Sequence, residues 1–182
     1  MLEEQYNKSI QTKELQLTFV EKITHYYLVL ICVAIALIFP IIHLREYFND
    51  DETPFLSGEI VVTLVFGILG LLVYKVQKNR LRFTIVQTTL KRDILEKIIG
   101  DVGEELEWVS IQLTHNSFYA VKHPEFLISW GEQITVLFAE KYVFINSVGD
   151  LTRGPSIFPT GRNRRNIEYL IEAIQKANES NL

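Results

Sequence analysis

Two long runs of apolar residues dominate the pattern of the chain. The first extends from Tyr26 to Ile42 and the second from Ile60 to Tyr74, and neither contains a charged residue. At a helical rise of about 1.5 Å per residue the first covers roughly 25 Å, close to the ~30 Å of bilayer hydrocarbon. The second is shorter, and Phe55, Leu56 and Val76 add to its length. Tyr26 and Tyr27 suit an interfacial aromatic belt. Pro40 lies near one end, where a missing backbone donor costs least. The first run follows about 25 mostly polar residues and has no small-residue cleavage site, so a signal peptide is not expected. Residues 26–76 are therefore expected to form a two-helix transmembrane hairpin.

Two periodicities overlap in residues 1–25. Leu15, Phe19, Ile23 and Tyr27 recur at i, i+4, which predicts an amphipathic helix leading straight into the first span. Leu15, Leu17 and Phe19 also alternate, as a strand added to a sheet would. The helix is the expectation carried forward.

Beyond the second run the pattern changes to short alternations. Arg82 to Gln87 reads as a strand with Phe83 and Ile85 on one face. Leu90, Ile94, Ile98 and Val102 then give a helix ending at Gly100 and Gly103, with Asp93 supporting its start and Lys97 its end. Val109, Ile111 and Leu113 alternate, His115-Asn116 makes a turn, and Phe118 to Val121 forms another run. Phe126, Ile128 and Trp130 alternate up to a turn at Gly131-Glu132. Ile134, Val136 and Phe138 follow, and then Tyr142 to Ser147. Alternating runs joined by tight turns predict an antiparallel sheet. After a loop from Gly149 to Gly161, Ile167, Leu170, Ile171, Ile174 and Ala177 line one face of a last helix from Asn163 to Ala177. Residues 77–182 thus read as an α+β domain with two helices on its sheet.

Charge decides orientation. Between the apolar runs stand Glu46, Asp50, Asp51, Glu52 and Glu59 against Arg45 alone. After the second run come Lys75, Lys78, Arg80, Arg82, Lys91 and Arg92, and the leading segment adds Lys8, Lys13 and Lys22. The positive-inside rule then places both termini in the cytoplasm of a multi-pass protein of the inner (plasma) membrane. The net charge of −4 argues against a nucleic-acid partner. The single cysteine, Cys32, lies inside the first run and reads as a small apolar filler.

The layout resembles small bacterial membrane proteins that join a two-helix hairpin to a cytoplasmic β-rich domain capped by a C-terminal helix. Some of those domains are similar to pleckstrin-homology-like folds. The resemblance is one of architecture and implies no site residues. The helix expected at Leu90 to Ile99 departs from the pleckstrin-homology order.

Chemistry is sparse. The chain has no GxSxG, Walker A, HExxH or GxGxxG motif, so no enzyme, metal or cofactor is expected. His25 and His43 stand at opposite ends of the first run, and His115 and His123 lack ligand partners nearby in sequence. Glu104, Glu105 and Glu107 read as a solvated face. One feature opposes local helix physics: Arg162, Arg164 and Arg165 crowd the start of the last helix, where the dipole already contributes positive charge. With Arg153, Ser156 and Thr160 of the preceding loop they form a candidate anion or lipid-headgroup site. The competing reading pairs Arg164 with Glu168 and Arg165 with Glu168 or Glu172 along the helix. The function expected is a membrane-anchored, non-enzymatic binding module for a protein partner or anionic headgroups. The alternative is an assembly subunit that uses Gly67 and Gly70 to pack on another membrane protein.

Overall fold

A computed structural model describes residues 3–49, 57–124, 130–155 and 161–180. Among these are six helices and five strands: α1 (Glu3–Thr12), α2 (Phe19–His25), α3 (Tyr27–Phe48), α4 (Ser57–Arg80), β1 (Thr84–Gln87), α5 (Arg92–Glu105), β2 (Trp108–Leu113), β3 (Ser117–Lys122), β4 (Glu132–Ala139), β5 (Tyr142–Gly149) and α6 (Arg162–Ser180). The chain divides into two units. Residues 1–24 and 80–182 form one, and residues 25–79 form the other.

The first unit is built on an open antiparallel sheet of order β1-β5-β4-β3-β2. Alternation along each strand sorts its side chains between two faces. One face carries Val86, Phe118, Ala120, Ile134, Val136, Phe138, Val143 and Ile145, and packs under α5 and α6 as an apolar core. The stripe on α6 is the expected one, with Leu170 and Ile174 fully buried and Ile167 and Ile171 partly so. On α5 the buried positions are Leu95, Ile99, Val102 and Gly103, one step round the helix from the expected stripe.

α5 also runs through Gly100 and Gly103 instead of ending there, and its last turn has no basic residue. The reason at Gly103 is packing: a Cβ there would lie 3.0 Å from Cε3 of Trp108. The turn expected at Gly131-Glu132 shrinks to Gly131, whose φ of +93° and closeness to the Lys122 carbonyl exclude a side chain, while Glu132 already belongs to β4. Of the alternation Phe126, Ile128 and Trp130, the first two lie outside the described residues, and Trp130 is in no strand.

The opposite face of the sheet is also covered. β4 and β5 are buried almost throughout, on both faces. The cover comes from the N-terminal arm, and it departs from the continuous helix expected there. α1 stops at Lys13, which has a left-handed φ of 58°. The backbone then pairs with the segment before β1, through Leu15 N–H to Leu81 O at 2.7 Å and Phe83 N–H to Lys13 O at 2.9 Å. Leu15 and Leu17 are buried, whereas Phe19 is 77% exposed. Strand-like alternation therefore governs residues 13–17 and a short helix governs 19–25. Tyr6 fixes α1 by donating its hydroxyl to the Phe138 carbonyl at 2.6 Å, and burial raises its phenol pKa above the usual range. Asn146 of β5 donates to the carbonyls of Arg80 and Arg82 at 2.9 and 3.0 Å, which fixes the chain entering β1.

The second unit is an antiparallel pair, α3 and α4, both long and apolar enough to cross a membrane. Each continues past its apolar run into polar sequence, because helical hydrogen bonding does not end where hydropathy does. Only 6% of each apolar stretch is buried inside the chain, unlike the core helix of a soluble domain. Contacts step down one helix as they step up the other: Nε2 of His25 bonds the Gln77 carbonyl at 2.9 Å, Tyr26 packs on Tyr74, Cys32 on Gly70, and Nε2 of His43 bonds Glu59 at 3.0 Å. The polar contacts stand eighteen residues apart along the chain, from His25 at the end of α2 to His43 of α3, and from Glu59 to Gln77 of α4. Eighteen residues rise roughly 27 Å, near the thickness of bilayer hydrocarbon.

Gly70 is the close-packing position of this pair. A Cβ there would meet Cβ of Cys32 at 3.3 Å, whereas one at Gly67 would meet nothing within 4 Å. Gly70→Leu should therefore lower the thermal midpoint of the helical signal in detergent, and Gly67→Leu should leave it in place. Equal effects would show that the helices do not approach at Gly70.

Candidate functional site

The basic start of α6 is not a cluster of arginines around one point. Arg162 lies against the sheet, with Nη1 3.9 Å from Oε1 of the buried Glu132. Arg164, 84% exposed, forms the expected i, i+4 pair with Glu168 at 2.6 Å, and that bond holds its pKa above the usual value. Arg165 lies over the Tyr169 ring, 5.2 Å from its centroid, and not on Glu168 or Glu172. Arg153 contacts Asp150 at 3.3 Å and donates to Nδ1 of His123 at 2.8 Å. Ser156 and Thr160 lie outside the described residues.

Around Arg162 the polar groups belong to a buried network. Asn166 donates to Glu132 and to Ser147 Oγ, both at 3.2 Å, and accepts from the Trp108 indole at 3.4 Å. Ser147 in turn donates to Asn163 at 3.0 Å. A buried carboxylate requires a cation and donors, and these side chains provide them. The arginine at the first position of α6 therefore opposes the helix dipole in order to face a buried acid.

The other sheet face has a different character. Register places Gln112, Tyr119, Thr135 and Asn146 in a row across β2, β3, β4 and β5, with Gln133 one step along β4. Beneath the arm Gln112, Tyr119, Gln133 and Thr135, though not Asn146, line a cavity of about 300 Å³, with Gln5, Leu15, Gln16, Leu17, Thr18 and Glu21 on its arm side. Gln133 and Thr135 are 4% and 2% exposed, and Gln133 Oε1 and Thr135 Oγ1 have no hydrogen-bond partner among the described residues. Each such oxygen costs about 1–3 kcal/mol if left unsatisfied. Both residues line the cavity.

The cavity's electrostatics are negative. Among the described residues no basic side chain lines it. Glu21 accepts from the Thr18 backbone and hydroxyl at 2.7 and 2.8 Å, which holds its carboxylate at the rim. Burial, and then the negative charges of Asp150 and Glu21, push the Tyr119 phenol up to about 12. At neutral pH Tyr119 is a hydroxyl donor, not a phenolate.

Sequence reasoning missed this site. Gln133 and Thr135 stand at the polar positions of an alternating strand, which ordinarily face water. The available signal was Leu15 and Leu17, whose alternation needs a sheet surface to bury against. Among the described residues no group of three or more His, Cys, Asp or Glu is placed to hold a metal ion. Compared with known proteins, the chain matches no family model, no curated sequence and no solved structure.

Arg162→Ala should lower the unfolding free energy by roughly 2 kcal/mol, because it strips a buried carboxylate of its cation. Arg164→Ala should leave chemical denaturation superimposable on the parent, since its pair is exposed. For Tyr119 the folded-state pKa is raised, so its contribution to stability is complete below the unfolded value of 10.0 and is lost as pH rises toward about 12. Stability measured across that interval should fall less steeply in Tyr119→Phe, and ultraviolet titration of the phenolates should lose its latest component.

Proposed function

We propose that this chain is a membrane-anchored, non-enzymatic binding module. α3 and α4 insert as a hairpin in the inner (plasma) membrane, both termini lie in the cytoplasm, and the α+β unit works at the cytoplasmic surface. The observation that carries this reading is the pair of apolar helices whose side chains are left outward, with Leu30, Val33, Leu37, Ile41, Leu64, Ile68, Leu71 and Leu72 all exposed. Exposing that much apolar surface to water opposes folding, and burying it in lipid removes the opposition. The excess of Lys and Arg after α4 supports the orientation.

The binding role is supported by the polar cavity beneath the N-terminal arm more than by the arginines. An anionic headgroup at α6 would have to compete with Glu168 for Arg164 and with Asp150 for Arg153. The assembly-subunit reading keeps one favourable observation, the open surface at Gly67, while Gly70 is occupied by Cys32 of the same chain. Crosslinking in native membranes that depends on Gly67 would favour that reading.

The anchoring reading is tested by extraction and topology. The full-length chain should stay with bilayers through alkaline carbonate. A reporter between α3 and α4 should be active only outside the cytoplasm, and reporters at both termini only inside. Release by carbonate, or a terminal reporter active outside, would refute it.

A further inference from the structure

We propose that the cavity between the N-terminal arm and the sheet is a binding site for a small, non-anionic donor of hydrogen bonds: an amine, amide or polyol. The inference rests on the reading of the chain as a binding module and gives that module a ligand class. Size comes first. A space of about 300 Å³ sits at the low end of ligand pockets, which excludes a polymer segment and admits a compact molecule. It would also hold roughly ten waters at liquid density, so its polar lining has room for a ligand in their place.

Chemistry follows from what the walls present. In the wall of the cavity two buried oxygens, Gln133 Oε1 and Thr135 Oγ1, lack partners among the described residues and belong to neighbouring same-face positions of β4, separated by one residue whose side chain faces the other way. Gln133 Oε1 only accepts and is satisfied by an N–H or O–H, so the ligand must bring a donor to it, while the Thr135 hydroxyl can accept or donate. Gln5 and Gln112 add amides, and Leu15 and Leu17 give the arm side an apolar surface. An anion would meet Glu21 with no basic side chain among the described lining residues to neutralise it. A cation or neutral molecule meets no such opposition, and an amine gains from the Glu21 carboxylate.

The test uses the full-length chain in nanodiscs. Binding of glycerol, glucose, ethanolamine and acetamide is followed by ligand-observed NMR, with inorganic phosphate and acetate as anionic counterparts. At least one of the first group should bind, and neither anion should. Thr135→Val keeps the shape and removes the hydroxyl, and should weaken binding by about tenfold, the scale of one lost hydrogen bond. Gln133→Met should do the same and serves independently if Thr135→Val does not fold. Both variants should melt at or above the parent temperature, because each removes an unpartnered buried oxygen. Binding of phosphate or acetate in place of the neutral and cationic probes would overturn the ligand class and leave the binding module standing. Absence of binding by every probe would overturn the site itself. Carbonate extraction reads the anchor separately from either result.

Discussion

Strands β4 and β5 are buried on both faces, and a single layer of helices covers only one. Every other feature of the α+β unit follows from the need for a second cover. The first is conventional: α5 and α6 lay apolar stripes on an apolar face, where area burial at about 25 cal/mol per Å² provides the drive. The second is assembled from the arm, which among its described residues buries Leu15 and Leu17 as apolar anchors. So few large side chains cannot fill the space over a face that carries Gln112, Tyr119, Thr135 and Asn146 in one row. The arm is consequently fixed by backbone pairing at Leu81 and Phe83 and by the Tyr6 hydroxyl, and it spans the polar row without filling it.

Buried polar groups elsewhere in the molecule find partners for part of their capacity, although Asn146 Oδ1 has none among the described residues. Glu132 is surrounded by Asn166 and Arg162, and Asn146 turns its amide on two carbonyls that would otherwise be stranded. In the helical pair, the His25–Gln77 and His43–Glu59 contacts sit toward the two ends, and the side chains between them are mostly apolar, with Thr63 and Lys75 as exceptions. A buried charge in particular is met by a partner, as Glu132 is by Arg162. The arginines of α6 obey the same rule. What looks in sequence like a cationic patch awaiting an anion divides into an inward cation for a buried acid, an exposed helix pair and a cation over an aromatic ring.

Much of the fold was legible because its elements carry their own periodicity. The two apolar runs, the alternations Val109–Leu113, Phe118–Val121, Ile134–Phe138 and Tyr142–Ser147 and the stripe Ile167–Ile174 each specify an element without reference to the rest of the chain. Errors arose where a tertiary neighbour decides the local outcome. Gly103 reads as a helix stop unless Trp108 is known to lie against it. The arm reads as a helix at i, i+4 unless the free edge before β1 is known to accept Lys13 to Leu15. The cavity was illegible for the same reason. A strand written polar-apolar announces that one face is polar, and only the arm, more than a hundred residues earlier in the chain, turns that face from solvent-exposed to enclosed.

The enclosed polar row is also where the molecule departs from what stability alone would select. Valine has nearly the shape of threonine and a high strand propensity, and it would remove an unsatisfied oxygen from position 135. Leucine or methionine would do so at position 133. The neighbouring positions on the same face, Val121, Leu137 and Val148, show that apolar side chains are accommodated there. A face that can be apolar, is buried, and keeps its acceptors under the arm has retained a cost that its own packing does not require. Cost of this kind is what binding sites hold in the absence of ligand, because the groups that recognise a partner are satisfied only when it arrives.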